Sequence, residues 1–174
     1  MKKIISIVGI LIIFSLSFLI LQNKTPQTTS TESKETTPSI TTEKPAQTTN
    51  ATTVDLSNQN LTSIPSSVFS KTNTETLDVS NNMLTGSIQG EIRFLSKLKV
   101  LDASNNNMTG LPAEIGQLQN LEVLDVSNNQ LTGLPNELGN LKNLKVLNLS
   151  GNQYSEQDLA GIRANLSSSV NIVL

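Results

Sequence analysis

Carboxylate side chains recur at a nearly fixed interval in the second part of the sequence. Four aspartates and two asparagines follow one another at intervals of 23, 24, 23, 23 and 23 residues: Asp55, Asp78, Asp102, Asp125, Asn148 and Asn171. Carboxylates in such a series could transfer protons, coordinate a divalent cation, or bind a basic peptide or the hydroxyl groups of a glycan. The choice among these chemistries depends on the surface that carries the side chains.

The composition argues against several of them. The 174 residues include no histidine and no cysteine, so the commonest general base, thiol nucleophiles and zinc thiolate sites are absent. No glycine-rich phosphate loop, Gly-x-Ser-x-Gly motif or His-Glu-x-x-His motif occurs. From residue 51 onward the chain has seven basic and eleven acidic residues, a net charge of −4, which repels a phosphate backbone. The sequence therefore predicts a non-enzymatic protein without a cofactor or metal ion that does not bind nucleic acid.

The aspartates are part of a longer repeat. An apolar residue precedes each of the six positions: Val54, Leu77, Leu101, Leu124, Leu147 and Val170. A second apolar set follows each of them: Leu56, Val79, Ala103, Val126, Leu149 and Ile172. This alternation predicts a short strand with its apolar side chains inward and the residue between them outward. A repeat period of about 20 to 50 residues indicates a solenoid, in which stacked coils bury a continuous core.

Each predicted strand is followed by an amide residue and then by more apolar residues. The amide positions are Gln59, Asn82, Asn106, Asn129 and Asn152. An amide carries donors and an acceptor, so it can bind backbone groups that lose their partners at a turn, and we expect a buried amide ladder. The next inward positions in one unit are Leu131, Leu134, Leu138, Leu141 and Leu144. Their spacing of three to four residues predicts a 3₁₀ or loosely helical return path.

These residues resemble those of a known family. Residues 121–144, LEVLDVSNNQLTGLPNELGNLKNL, resemble a leucine-rich repeat with its L-x-x-L-x-L-x-x-N-x-L signature. The pair Leu134 and Pro135 resembles the 23-residue type of bacterial and intracellular proteins, whereas residues 84–92, LTGSIQGEI, resemble the 24-residue plant type with Gln89 in place of proline. The resemblance implies an α/β repeat solenoid, a horseshoe segment with a parallel sheet on its concave side, and a role in binding other macromolecules.

The two ends of the repeat region depart from the pattern. In the first repeat Thr74 stands in a leucine position and Lys71 falls on an inward position, with Phe69 as a candidate to fill the space. At the other end, the segment 155–158 predicts a capped helix that runs to about residue 166, and residues 170–172 predict a last strand. We expect five repeats and a helix–strand cap within residues 54–174.

Two segments of different composition precede the repeats. Lys2 and Lys3 are followed by an uncharged apolar run over residues 4–21, which as a helix would span about 27 Å, close to the ~30 Å of a bilayer core. Residues 1–21 therefore predict a membrane anchor that leaves the following chain outside, or alternatively a cleaved signal peptide and secretion. Residues 22–53 predict a disordered linker, because thirteen of the 25 residues from 25 to 49 are threonine or serine.

The outward strand positions form the candidate ligand site. The predicted site comprises Asp55, Asp78, Val100, Asp102, Val123, Asp125 and Asn148. We expect a protein or peptide ligand, with a glycan as a weaker candidate; the alternative is that the aspartates only bind the local backbone of their own turns. Alternating charges at Glu75, Lys99, Glu122 and Lys145 predict ion pairs between neighbouring coils. The function predicted is a membrane-anchored or secreted binding module; the alternative is a structural, self-associating surface protein without a specific ligand.

Overall fold

The computed structural model describes residues 52–174. The predicted anchor or signal peptide and most of the predicted linker lie outside the described residues. Among residues 52–174 there is no helix of sufficient length and apolar character to cross a membrane. The strands are β1 (Thr53–Asp55), β2 (Thr76–Asp78), β3 (Thr85–Gly86), β4 (Val100–Asp102), β5 (Asn107–Met108), β6 (Val123–Asp125), β7 (Val146–Asn148) and β8 (Asn171–Val173), and one α-helix, α1, spans Glu156–Asn165.

Six of these strands form one parallel sheet. Its order is β1-β2-β4-β6-β7-β8, and every neighbouring pair runs parallel, as expected when each strand is the same part of a successive coil. The middle residue of each strand points into the core, and the four central ones, Leu77, Leu101, Leu124 and Leu147, are fully buried. The predicted solenoid with a parallel sheet is thereby confirmed.

The return path of the coils is made of short 3₁₀ helices. They span Ser66–Ser70, Gly90–Phe94, Ala113–Gln117 and Asn136–Asn140. A proline directly precedes three of them, at Pro65, Pro112 and Pro135. At this position the fixed φ of proline and its missing N–H do not disturb the helix that follows. Each 3₁₀ helix buries an apolar residue against the sheet, as Leu138 does, and the five inward leucines predicted in that unit are all buried.

A second, smaller sheet lies beyond the turn that follows the main strands. In it β3 pairs with β5 in parallel, with Thr85 opposite Asn107 and Gly86 opposite Met108. The Thr109 N–H then donates to the Gly86 carbonyl at 2.8 Å. This sheet was not predicted, because two-residue strands are too short to show an alternation. Gly86 has a φ of +68°, a conformation that glycine adopts without strain and that lets the chain turn directly after β3.

The first repeat replaces its missing leucines by a different packing. Thr74 is buried in a leucine position, and its hydroxyl donates to the Lys71 carbonyl at 2.7 Å, which satisfies its polar group. Phe69 is buried and contributes to the core, whereas the Lys71 side chain is exposed. Phe69 therefore fills the space at the inward position on which Lys71 falls in the repeat, and the lysine charge stays in water.

The last strand is shifted by two residues from the predicted register. Ile172 rather than Val170 pairs with Leu147, so that Asn171 lies opposite Val146 and Val173 lies opposite Asn148. The reason is the ten-residue helix α1, which replaces the five-residue 3₁₀ helix of the preceding coils. An α-helix rises about 1.5 Å per residue and a 3₁₀ helix about 2.0 Å, so the coil that contains α1 needs more residues to return to the sheet.

Candidate ligand-binding face

The outward side of the six-stranded sheet carries two columns of side chains, and we call it the sheet face. The first residues of the strands form the valine column, in which Val100, Val123 and Val146 are flanked by Thr53 and Thr76 on one side and Asn171 on the other. The third residues form the aspartate column, which contains Asp55, Asp78, Asp102 and Asp125, followed by Asn148 and Val173. Neighbouring members of a column are about 4.8 Å apart. The structure therefore brings together all seven residues of the predicted site on one surface.

One oxygen of each aspartate is bound by its own turn. The Oδ1 atom of Asp102 accepts a hydrogen bond from the Ser104 N–H at 2.9 Å, and Asp125 accepts one from Ser127 at 2.9 Å. Asp55 does the same with both the N–H and the hydroxyl of Ser57, and these two donors hold the pKa of Asp55 below its usual value. This is the local backbone role that the sequence left open as an alternative, and it occupies one side of each carboxylate.

The second carboxylate oxygen differs from coil to coil. In Asp125, Oδ2 accepts a hydrogen bond from the Nδ2 atom of Asn148 at 2.8 Å. The Oδ2 atoms of Asp78 and Asp102 have no hydrogen-bond donor among residues 52–174. The carboxylates of Asp78 and Asp102 thus keep an oxygen for a ligand, whereas Asp125 is already satisfied by its neighbour.

Ion pairs flank the sheet face at the residues just before β2, β4, β6 and β7. Lys99 Nζ lies 2.8 Å from Glu75 Oε2, and Lys145 Nζ lies 2.6 Å from Glu122 Oε2. The hydrogen bond from Lys145 lowers the pKa of Glu122, and the hydrogen bond to Glu75 raises the pKa of Lys99. The four charges neutralise one another in pairs, so the net charge of the sheet face comes from the aspartate column.

The predicted amide ladder binds backbone groups of two coils at once. In Asn129 the Nδ2 atom donates to the carbonyls of Ala103, Val126 and Ser127, and Oδ1 accepts from the Met108 N–H at 3.0 Å. Asn82, Asn106 and Asn152 make equivalent contacts. Gln59 is exposed, and its backbone N–H donates to Asn82. The ladder holds the ends of the strands in place, and the side-chain amides of its asparagines are hydrogen-bonded to the backbone.

A further column follows the aspartates and has a backbone role that the sequence analysis missed. Its members are Asn58, Asn81, Asn105, Asn128 and Gly151, and their φ angles lie between +52° and +69°. Asparagine and glycine are the residues that adopt this left-handed conformation most readily. The exchange of asparagine for glycine at one position of the repeat was the observation in the sequence that could have revealed the turn.

No cluster of three acidic side chains suitable for a metal ion occurs within residues 52–174. The carboxylates form a line of single groups on an open face, so their arrangement suits contacts with an extended ligand better than chelation of a single ion.

Comparison with protein families matches residues 73–166, more than half of the chain, to the family described as a leucine-rich repeat region. The chain belongs to the leucine-rich repeat family. No curated protein sequence matches this leucine-rich repeat chain. The leucine-rich repeats resemble those of several solved structures.

The first is a leucine-rich repeat protein of Leptospira interrogans, LIC12759, with 38% sequence identity, a TM-score of 0.61, and coverage of 65% of this chain and 28% of that one. The second is the ectodomain of the receptor kinase SOBIR1 from Arabidopsis thaliana, with 28% identity, a TM-score of 0.55, and coverage of 69% and 66%. The third is the ectodomain of the Arabidopsis receptor kinase GASSHO1/SCHENGEN3 in complex with CASPARIAN STRIP INTEGRITY FACTOR 2, with 32% identity, a TM-score of 0.52, and coverage of 63% and 13%. The chain spans less than a third of the length of the first structure and under two thirds of the second.

Proposed function

We propose that this leucine-rich repeat chain is a binding module on the outside of the cell whose sheet face receives a protein or peptide ligand. The observation that carries the proposal is the difference between the two sides of the sheet. The inward leucines are fully buried, whereas the valine column is partly exposed. In the neighbouring aspartate column, Asp78 and Asp102 each keep an unbound oxygen. A partly exposed apolar column beside charged groups is a surface that the fold itself does not use.

The chemistry of the sheet face favours a peptide over a glycan. Val100, Val123 and Val146 offer apolar area to aliphatic side chains, and the aspartate column offers hydrogen bonds and negative charge. The outward positions of the six strands contain no aromatic residue, whose flat face could pack against a sugar ring. The likeness to two receptor ectodomains, one of them in complex with CASPARIAN STRIP INTEGRITY FACTOR 2, supports a protein or peptide partner.

The location outside the cell is proposed from the first segment of the sequence. Lys2 and Lys3 before the apolar run of residues 4–21 favour a cytoplasmic N-terminus, with the leucine-rich repeats on the other side of the membrane. Cleavage after this run would release the same repeats as a secreted protein. In both cases the threonine- and serine-rich linker acts as a spacer between the membrane or the chain end and the binding module.

The proposal is tested with the full chain as an affinity bait on crosslinked native cell-surface material. One variant bait carries Asp78→Lys, Asp102→Lys and Asp125→Lys, which reverses the charge of the aspartate column on three successive coils. A matched control carries Glu91→Lys, Glu114→Lys and Glu137→Lys, the same charge change on the second residue of three successive 3₁₀ helices, away from the sheet face. We expect the wild-type and control baits to capture the same partner and the aspartate variant to lose it.

Two other outcomes contradict the proposal in different ways. Equal capture by all three baits would mean that the partner contacts a surface other than the sheet face. If none of the baits captures a partner above background, and the chain instead recovers copies of itself, the structural and self-associating role becomes the better account of the protein.

A further inference from the structure

The sheet face is divided into an acidic half and an apolar half. On the first three strands, β1, β2 and β4, the aspartate column carries a full carboxylate at every position. On β6 both oxygens of Asp125 are hydrogen-bonded, Oδ1 to Ser127 and Oδ2 to Asn148, and the column carries no charge on β7 and β8, where it continues with Asn148 and Val173. The valine column shows the opposite trend, since threonine occupies its first two positions and valine the next three.

The carboxylates of the acidic half repel one another, and the neighbouring lysines do not compensate this repulsion. Asp78 and Asp102 lie side by side in the register, about 4.8 Å apart, and like charges directly opposite each other on adjacent strands repel. The nearest cations on this side, Lys99 and Lys145, are already paired with glutamates at 2.8 Å and 2.6 Å. A cation from a ligand placed between the two free Oδ2 atoms would offset the repulsion and complete their hydrogen bonding.

The apolar half offers aliphatic contacts and no unbound oxygen in the aspartate column. Val123 and Val146 are neighbours in the register, and both are partly exposed. Beside them, the two oxygens of Asp125 are hydrogen-bonded to Ser127 and to the amide of Asn148. A basic ligand group over this half would find no unbound carboxylate oxygen in the column, whereas an aliphatic side chain would bury apolar area.

We propose that the sheet face selects an extended peptide by the position of one basic residue relative to an aliphatic one, an inference that rests on the proposed function. The lysine or arginine of the ligand lies over Asp78 and Asp102, and its aliphatic residue lies over Val123 and Val146. Asn148 sets the boundary between the halves, because its amide donates to the Oδ2 atom of Asp125 and leaves that carboxylate no unbound oxygen.

The geometry fixes the spacing that the ligand must have. From the midpoint of Asp78 and Asp102 to the midpoint of Val123 and Val146 the sheet advances by two strands, about 10 Å, and the two columns lie two residues apart along the strands, about 7 Å. The two points are therefore about 12 Å apart. An extended peptide that crosses the strands rises about 3.3 Å per residue. The basic and aliphatic residues of the ligand are therefore three or four positions apart.

The test uses a library of random linear peptides displayed on phage and selected on the immobilised full chain. Three forms of the protein are compared: the wild type, the double variant Asp78→Asn/Asp102→Asn, and the matched control Glu91→Gln/Glu137→Gln, which removes two carboxylates from the 3₁₀ helices away from the sheet face. The asparagine substitutions preserve the turns, because Asn148 shows that an asparagine at this position still accepts hydrogen bonds from the N–H and hydroxyl two residues later. Enriched peptides are then synthesised and their affinities measured by fluorescence polarisation.

We expect the wild type and Glu91→Gln/Glu137→Gln to enrich peptides with a basic residue three or four positions from an aliphatic one. The double variant should keep the aliphatic preference and lose the basic one, with an affinity for the selected peptides about fivefold weaker at low salt. An equal loss of the basic preference in Glu91→Gln/Glu137→Gln would show that net charge, rather than Asp78 and Asp102, attracts the basic residue. Enrichment without a fixed spacing would overturn the division into halves while leaving the sheet face as the binding site. Peptides that bind equally well to the Asp78→Lys/Asp102→Lys/Asp125→Lys variant would overturn the proposed function as well.

Discussion

Gly116 packs against the backbone carbonyl of Glu137, and a Cβ atom at position 116 would overlap the carbonyl oxygen. The two residues belong to successive 3₁₀ helices, Ala113–Gln117 and Asn136–Asn140. Gly139 lies in the same way against the Cβ atom of Asn165 at the end of α1. On the return side of the solenoid, these glycines set how closely one coil can approach the next.

The first prediction concerns this close approach. We expect Gly116→Ala to lower the free energy of unfolding by about 1–3 kcal/mol, because the added methyl group meets backbone that can move only if a whole coil shifts. Urea denaturation of the full chain measures the change. Gly110→Ala is the matched control, since a Cβ atom there meets nothing within 4 Å, and it should leave the stability unchanged or slightly higher. Equal losses in both variants would show that the coil spacing is not the cause.

The second prediction concerns the amide ladder. Asn129→Ala removes the donors to three buried carbonyls and the acceptor of the Met108 N–H, so several backbone groups lose their partners together. Each buried polar group left unpaired costs about 1–3 kcal/mol, and we expect a total loss of at least about 3 kcal/mol in the free energy of unfolding.

Hydrogen exchange distinguishes this mechanism from a general loss of packing. In Asn129→Ala the Met108 amide should lose more protection than amides of distant coils. Gln130→Ala, which changes the exposed neighbouring residue, serves as the control and should have little effect on stability or exchange. If Gln130→Ala were as damaging as Asn129→Ala, the ladder would not be the source of the stability.

The sequence contained most of the architecture because the repeat imposes the same constraint on every coil. The leucines of one coil can be buried only by those of the next, so the period of the leucines also fixes the register of β1, β2, β4, β6 and β7. The register of β8 could not be obtained in this way. It depends on how many residues α1 needs to cover the same distance as a 3₁₀ helix, and Val170 and Ile172 satisfy the apolar pattern equally well.

The candidate site was predictable in its positions but not in its chemistry. The spacing of the aspartates placed them in one column, since the side chains of a strand alternate between its two faces. The hydrogen bond that satisfies Asp125 depends on the orientation of the Asn148 amide, which no pattern in the sequence encodes. The orientation of a side chain likewise decides the contact of Asp158, whose carboxylate accepts the Leu134 N–H at 3.2 Å.

The third prediction concerns the pH dependence of the ion pair between Glu122 and Lys145. The folded-state pKa of Glu122 is lowered by the hydrogen bond from Lys145, so the pair contributes stability above the unfolded pKa of the glutamate and loses it as the pH falls through the lowered folded value. We expect Lys145→Gln to raise the pKa of Glu122 toward its usual value, measured by NMR titration of the side-chain carboxyl group.

A neighbouring lysine provides the control for that titration. Lys142 lies three residues before Lys145, and its Nζ atom is 3.4 Å from the Gly139 carbonyl oxygen rather than close to Glu122. Lys142→Gln should therefore leave the pKa of Glu122 unchanged. High salt should reduce the difference between wild type and Lys145→Gln, because both partners are exposed and their attraction is screened. A pKa of Glu122 that is the same in the wild type and in Lys145→Gln would contradict the pairing.

The last prediction concerns the boundary between the acidic and apolar halves. Asn148→Asp removes the donor to Asp125 Oδ2 and places two carboxylates opposite each other, which we expect to lower the free energy of unfolding by about 0.2–1 kcal/mol, more at low salt. The exchanged pair Asp125→Asn/Asn148→Asp restores one amide and one carboxylate at the same two positions. Urea denaturation of the two single variants and the double variant closes a double-mutant cycle. Recovery of stability in the exchanged pair would identify the pairing of one amide with one carboxylate as the source, because net charge and composition then equal those of the wild type. An exchanged pair as unstable as Asn148→Asp would show that this pairing is not the source, and Asn148 would lose its role as the boundary.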